Sequence, residues 1–381
     1  MTSRHVRVTV GTGPAAARHS YYLKLDASTP IQWLNCEPCP EHPPQSGPVF
    51  NPSDSPTFSF LEGSKQQCVP KYGFEPAGAK CAFHLAGPGG LSVHGYAAHD
   101  DMHYEGHPPH KAILFACSHA TRGFASEGVF AGAATLSRAP ASLAMQAAAR
   151  GLARFSYCLS SGETETGRHG FLRFGSDVPH NAQFQTTKML PALGTTTTTG
   201  SASSSAYGYY VSLVGVSVGS RRLDMVRPEM FLRRKDDGEQ GGAMIDLGTP
   251  VTVMVQDAYN AIEEAMWSDL ERQGAERVKL PGHGLCVRAT EAVKRRLQSL
   301  SLHFAGAEEK EATMVVSPEH LFWTTDDKQA GHIACLAMTP GRRTIIGAFQ
   351  QVDTRFVFDL KDDKVSFAPE SCSQEHTAPA V

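Results

Sequence analysis

The sequence predicts a two-lobed, all-β protein, and three observations carry that prediction. The first is length: 381 residues and 41.0 kDa are about two to three times a typical single domain, enough for two lobes that each bury a core. The second is composition. Gly 35 and Pro 24, with 41% hydrophobic and 19% charged residues, match a turn-rich β protein rather than a helical one and exclude a chain disordered throughout. The third is the recurrence of short β-rich runs, punctuated by Gly and Pro, from one end of the chain to the other.

In chain order, YYLKLD (21–26) and AILFAC (112–117) are strand candidates in the first half. ASLAMQAAARGLA (141–153) is Ala-rich and helical, with Ser142 as its N-cap. TTTTTGSASSSA (195–206) cannot bury a core and forms a flexible loop or inter-lobe connector. A boundary near 190 follows, dividing the chain into an N-terminal lobe (1–190) and a C-terminal lobe (191–381). Beyond it, YYVSLVGVSV (209–218), AMIDL (243–247) and TRFVFDL (354–360) are strands. VQDAYNAIEEAMWSDLERQ (255–273) repeats apolar residues at i, i+3, i+4 and is a helix, and EAVKRRLQSL (291–300) is a third.

Charge and apolar runs narrow the function. Lys+Arg 35 against Asp+Glu 38 gives a formal net charge of -3, without the basic excess that nucleic-acid backbones demand. No stretch approaches the roughly 20 apolar residues of a membrane-spanning helix, so a soluble protein with neither partner is expected. The opening MTSRHVRVTV lacks the apolar core of a secretory signal. Nine cysteines, at 36, 39, 68, 81, 117, 158, 286, 335 and 372, are many for a reducing compartment and predict disulfides, with at least one thiol left over. Cys36-x-x-Cys39 has no second close pair to complete a zinc site, and the histidines at 84, 94, 99, 103, 107 and 110 are scattered as on a solvated face. No metal and no cofactor is expected.

An apolar run ending in Asp and a small polar turn occurs once on each side of the connector, as YYLKLDAST and GGAMIDLGT. Asp26 and Asp246, 220 residues apart, suggest a divergent internal repeat. Two carboxyls brought within a few ångströms share one proton, because like charges that close cannot both ionise. One then deprotonates a water while the other protonates the bond under attack.

In this context the chain resembles the pepsin-like aspartic proteases, most closely the plant nepenthesin-like and nucellin-like branch. The resemblance covers nearly the whole chain and rests on YYLKLDASTPIQWLNCEPC (21–39), VFNPSDSPTFS (49–59), RFSYCL (154–159), YYVSLVGVSVG (209–219), GGAMIDLGTPVT (241–252) and TIIGAFQQVDTRFVFDLKDDKVSFAPESC (344–372). It implies a bilobal fold of two β-barrel-like lobes with a few short helices and a central cleft. It also implies catalytic roles for Asp26 and Asp246, disulfides Cys158–Cys372 and Cys286–Cys335, and a monomer that takes a peptide or protein substrate in the cleft. The odd thiol then lies between positions 36 and 117. A secreted, extracellular or vacuolar location is implied by resemblance, with an intracellular one, its thiols reduced, as the alternative, and a start this close to the first strand is expected of a mature enzyme.

The resemblance is imperfect at the site. The first turn reads Asp26-Ala27-Ser28-Thr29 and the second Asp246-Leu247-Gly248-Thr249, so Ala27 and Leu247 lack the hydroxyl that relatives carry after the aspartate. Ser28 replaces a glycine, which adds strain if its φ is positive and otherwise offers a hydroxyl to the carboxyl. Thr29 and Thr249 keep hydroxyls beside the carboxylates. Ala86 precedes Gly87 where relatives place the tyrosine of a hairpin flap, although Trp33, that tyrosine's partner in relatives, is present. Ala131 is expected where relatives have the glycine that closes the loop around the first aspartate, against the intact Ile345-Ile346-Gly347 of the second. The primary expectation is an aspartic endopeptidase of attenuated activity. The alternatives are a catalytically impaired binding protein of the xylanase-inhibitor kind and, more remotely, a glycosidase using the same carboxyls.

Overall fold

The computed structural model describes residues 5–12, 19–64, 66, 68–69, 72–87, 90–104, 109–123, 130–161, 170–175, 183–191, 204–233, 241–308, 310–327 and 331–372. The fold is mostly β, with few helices, and divides into two compact units. One comprises residues 1–153 with 192–208, the other 154–191 with 209–381.

The first unit is built on one sheet. His5–Val10, Ser20–Asp26, Gly132–Thr135, Trp33–Asn35, His110–Arg122, Ser92–Tyr104, Lys80–Ala86 and Phe74–Ala77 neighbour each other in that order. His5–Val10 also pairs with Ser92–Tyr104, so the first six strands close into a barrel. Ser20–Asp26 shows why: Tyr21, Leu23 and Leu25 are buried and alternate with partly exposed residues, the period of a strand with one face on a core. Gly132 is required where it stands, because a Cβ there would run into the Trp33 carbonyl. Trp33 itself is 1% exposed, at the centre of a core formed with Phe74, Phe83, Leu85, Val93 and Ala116.

In the second unit, Arg154–Leu159 lies between Gly170–Phe174 and Thr354–Asp359, followed by Lys364–Pro369 and Gln185–Lys188. Both Arg154–Leu159 and Thr354–Asp359 are buried at five of their six positions, which explains their unbroken apolar character. The segment 154–191 thus belongs in space with residues 354–369, where a single division at residue 190 would cut between them. Three further sheets complete the unit, one of them ordered Tyr209–Val211, Ala243–Ile245, Thr344–Ile346, Thr252–Val255, Met338–Gly341. Most of the 195–206 segment lies outside the described residues.

Helices form where periodicity places them. Leu143–Ala149 is capped by Ser142, whose hydroxyl accepts from the Met145 N–H at 3.2 Å. Gln256–Arg272 buries Ala258, Tyr259, Ala261, Ile262, Ala265, Met266 and Leu270 along one stripe. Only Glu291–Lys294 of the third expected helix is helical.

Four disulfides join Cys36 to Cys117, Cys68 to Cys81, Cys158 to Cys372 and Cys286 to Cys335, and Cys39 is free and buried. The last two pairs are those the resemblance implies. The first two resolve the connectivity that five cysteines left open, and Cys36-x-x-Cys39 is thereby no ligand pair.

Two aspartate turns of one design

Asp26 is the last residue of Ser20–Asp26, and that strand runs parallel to Gly132–Thr135 with Asp26 paired to Thr135. Trp33–Asn35, which follows the turn, returns antiparallel along the other side of Gly132–Thr135. The second unit repeats the pattern. Ala243–Ile245 runs parallel to Thr344–Ile346, Thr252–Val255 returns antiparallel to it, and Asp246 follows the first strand directly. Each aspartate therefore sits where a strand stops and the chain doubles back through a neighbouring strand pair, so its position is set by sheet hydrogen bonds rather than by a free loop. In the first unit the Asp26 carbonyl accepts from the Leu136 N–H at 2.7 Å, and in the second the Asp246 N–H donates to the Ile346 carbonyl at 3.1 Å.

The turns also grip the carboxylates. Asp26 Oδ1 accepts from the Ser28 N–H at 2.8 Å, the Ser28 hydroxyl at 3.3 Å, the Thr29 N–H at 2.6 Å and the Thr29 hydroxyl at 2.9 Å. Asp246 Oδ1 accepts from the Gly248 N–H at 3.1 Å, and its Oδ2 from the Thr249 hydroxyl at 2.7 Å. Donors of this kind fix the plane of the carboxyl group. Asp246 is 4% exposed, whereas Asp26 is half-buried. Neither Ser28 nor Gly248 has a positive φ, so serine costs no backbone strain there. It adds a hydroxyl to the Asp26 carboxylate instead. Ala27 and Leu247 are each 2% exposed and apolar.

The loop-closing position expected at Ala131 falls instead at Thr135. Register pairs Asp26 with Thr135, and one step beyond the Ile245–Ile346 pair brings Asp246 level with Gly347, so Thr135 is the counterpart of Gly347. Sequence reading missed it because an Ala- and Gly-rich segment offers no landmark from which to count. Two residues on, the Ser137 hydroxyl donates to the Thr29 carbonyl at 2.7 Å and so braces the first turn.

Ala86 and Gly87 lie at the turn of the hairpin formed by Lys80–Ala86 and Ser92–Tyr104, where the Gly87 N–H donates to the Leu91 carbonyl at 2.9 Å. Pro88 and Gly89 lie outside the described residues. The nearest tyrosine of the hairpin, Tyr96, stands opposite Ala82, well below the turn. On the same hairpin His84 and His94 face each other across the strands, rings stacked at 4.2 Å. Among the described residues no group of three or more His, Cys, Asp or Glu side chains is placed to hold a metal ion.

Comparison with known proteins also matches the chain in two parts, although the N-terminal match runs on into residues 154–176 of the second unit. The family model described as xylanase inhibitor N-terminal matches residues 5–176, and its partner, xylanase inhibitor C-terminal, matches residues 208–369. The chain is 28% identical to aspartic proteinase nepenthesin-2 of Nepenthes gracilis, over 96% of this chain and 77% of that protein. It is 29% identical to aspartyl protease family protein 2 of Arabidopsis thaliana, over 96% of this chain and 70% of that protein. Among solved structures, that of edgp superposes with a TM-score of 0.73 at 19% identity, covering 97% of this chain and 95% of that one. Basic 7S globulin from soybean superposes at 0.68 and 20% identity, covering 98% and 99%. With both halves matched in order, and each half built around an aspartate turn of the same design, the chain belongs to the pepsin-like aspartic protease family.

Proposed function

We propose that the protein is an aspartic-type endopeptidase in which Asp26 and Asp246 supply the two carboxyls. They share one proton; the ionised carboxyl takes a proton from water as that water attacks the peptide carbonyl, and the protonated one gives its proton to the carbonyl oxygen. The observation that carries this reading is the repetition of one device: a strand ending in aspartate, a returning neighbour strand, and a carboxylate held by a turn N–H and a threonine hydroxyl. Ser28, Thr29, Gly248 and Thr249 hold the carboxyls, and no cofactor enters the reaction. The substrate is a peptide or protein segment, and the working form is a monomer. Four disulfides suit an extracellular or vacuolar setting.

Attenuation is part of the reading. Ala27 and Leu247 bring no hydroxyl to the turns, and the hairpin turn at Ala86 carries no tyrosine. The test is cleavage of denatured casein and of a peptide library between about pH 3 and 6, the range in which such a carboxyl pair holds one proton. Wild type should cleave, and Asp26→Asn and Asp246→Asn should each abolish turnover. Cleavage undiminished in both variants overturns the assignment.

The same three departures favour a second reading, a binding protein on a protease scaffold, in keeping with the xylanase-inhibitor description of the matching family models. No turnover by wild type, together with a stable stoichiometric complex with a purified xylanase, would select it.

A further inference from the structure

The main chain at Asp246 is anchored by a side chain that carries no signature in the sequence. Gln351, 0% exposed, donates from Nε2 to the Ile346 carbonyl at 2.8 Å and to the Asp246 carbonyl at 3.2 Å. Its other end accepts: Gln351 Oε1 takes a hydrogen bond from the Tyr157 hydroxyl at 2.6 Å. Tyr157 is 1% exposed, with its ring stacked against Phe356 and Phe358 at centroid distances of 5.5 and 5.6 Å. A phenol has one proton to give, and giving it to Oε1 decides which end of the amide is oxygen and which is nitrogen. Burial, with the negative charge of Asp246 next, pushes the Tyr157 phenol well above its ordinary range, so it remains a donor throughout.

We propose that Gln351, oriented by Tyr157, is a positioning residue for Asp246. Its amide fixes the backbone from which the carboxyl projects and sets the positive end of a buried dipole behind it. Tolerances for such groups are tight, with productive geometry held to about 0.5 Å. The kinetic part of this proposal rests on the endopeptidase reading; the electrostatic part does not.

The experiment uses the full chain carrying Tyr157→Phe or Gln351→Met, with the Asp246 carboxyl followed by carbon-13 NMR across the acid range and assigned by the signal lost in Asp246→Asn. The charged and titratable groups that act on Tyr157 are the Asp246 carboxyl and the Tyr209 phenol. Gln351→Met removes the amide's positive end and Tyr157→Phe removes the donor that orients it, so in each variant the ionised carboxyl is destabilised and the Asp246 midpoint should rise by about 0.5 unit. With a cleavable peptide, kcat should fall about tenfold while KM stays within about twofold, the pattern of a lost transition-state alignment rather than lost binding. Tyr157→Phe keeps the ring and folds even where Gln351→Met, which leaves two buried carbonyls without this donor, does not. An unmoved midpoint in Tyr157→Phe overturns the proposal even if the melting temperature drops, because the pair would then be packing alone. A wild type that cleaves nothing defeats the endopeptidase reading, and the midpoint still decides this one.

Discussion

Thr135 stands beside Asp26 in paired parallel strands, at the place Gly347 holds beside Asp246, and its fully buried hydroxyl has no hydrogen-bond partner among the described residues. A buried hydroxyl without a partner costs roughly 1–3 kcal/mol. Thr135→Val keeps the shape and removes the polar atom, so the variant should unfold at higher urea, by about 1 kcal/mol. A clear loss of stability would show that the hydroxyl is satisfied and that the first turn depends on it.

The mirror substitution has the opposite sign. A Cβ on Gly347 would lie within 2.7 Å of the Thr252 nitrogen and closer still to the Val251 carbonyl, both of them backbone that cannot swing away. The Thr252 hydroxyl accepts from the Gly347 N–H at 3.1 Å, so any shift also breaks that bond. Gly347→Ala should therefore destabilise by about 1–3 kcal/mol, the usual cost of overpacking. Denaturant unfolding of the second unit would read it, and a loss below a few tenths of that range would mean the turn is soft.

These two positions also mark how far the sequence could be read. Asp26, Thr29, Asp246 and Thr249 were legible because an apolar run, an aspartate and a hydroxyl residue recur at fixed spacing, and spacing within a turn survives without knowledge of its neighbours. Thr135 was not, because its pairing with Asp26 is a property of strand register across more than a hundred residues, and Ala131 was the plausible choice in GVFAGAATLS. The same limit explains residues 154–191. RFSYCL is visibly a strand, but nothing local says that its partner is Thr354–Asp359. Cysteine pairing in the first half was undetermined for a counting reason, five thiols with several connectivities, and only Cα geometry selects Cys36–Cys117 and Cys68–Cys81. Ser28 was a choice between strain and a hydrogen bond, and only the backbone angle could make it.

Asp100 should make the first unit more stable in acid than its hydrogen bonds suggest. Its Oδ1 accepts from Ser55 at 2.9 Å, Thr57 at 2.6 Å and the Asp101 N–H at 2.8 Å, while Oδ2 is buried without a partner. Burial outweighs those donors and raises the carboxyl above its ordinary 3.8. With the folded value raised, the stabilising contribution is complete below about 3.8 and is lost as pH climbs through the folded value, because the unfolded chain ionises first. Asp100→Asn does not titrate. Its deficit relative to wild type should therefore shrink between pH 3.5 and 7, read as the gap between the two melting temperatures. A gap that widens over that interval would mean the three donors win over burial.

Cys39 offers a count that checks the whole covalent framework. It is 9% exposed and its thiol is pushed up to about 11, mainly by burial and then by Glu41 nearby, so in the native fold it is neither accessible nor ionised at neutral pH. The eight other cysteines are oxidised in pairs, one of which, Cys158–Cys372, closes a separation of 214 residues. Closing so long a loop removes more denatured-state entropy than closing the 13-residue separation of Cys68–Cys81, about 5 against about 3 kcal/mol in the chain-entropy account. Native protein should leave a thiol reagent unconsumed at pH 8, and protein unfolded without reductant should consume one equivalent. Three equivalents on unfolding would mean that a disulfide is open. In that case partial reduction and mass mapping should identify the cheaper link, Cys68–Cys81, because opening Cys158–Cys372 frees far more of the unfolded chain and should lower the unfolding midpoint at the same time.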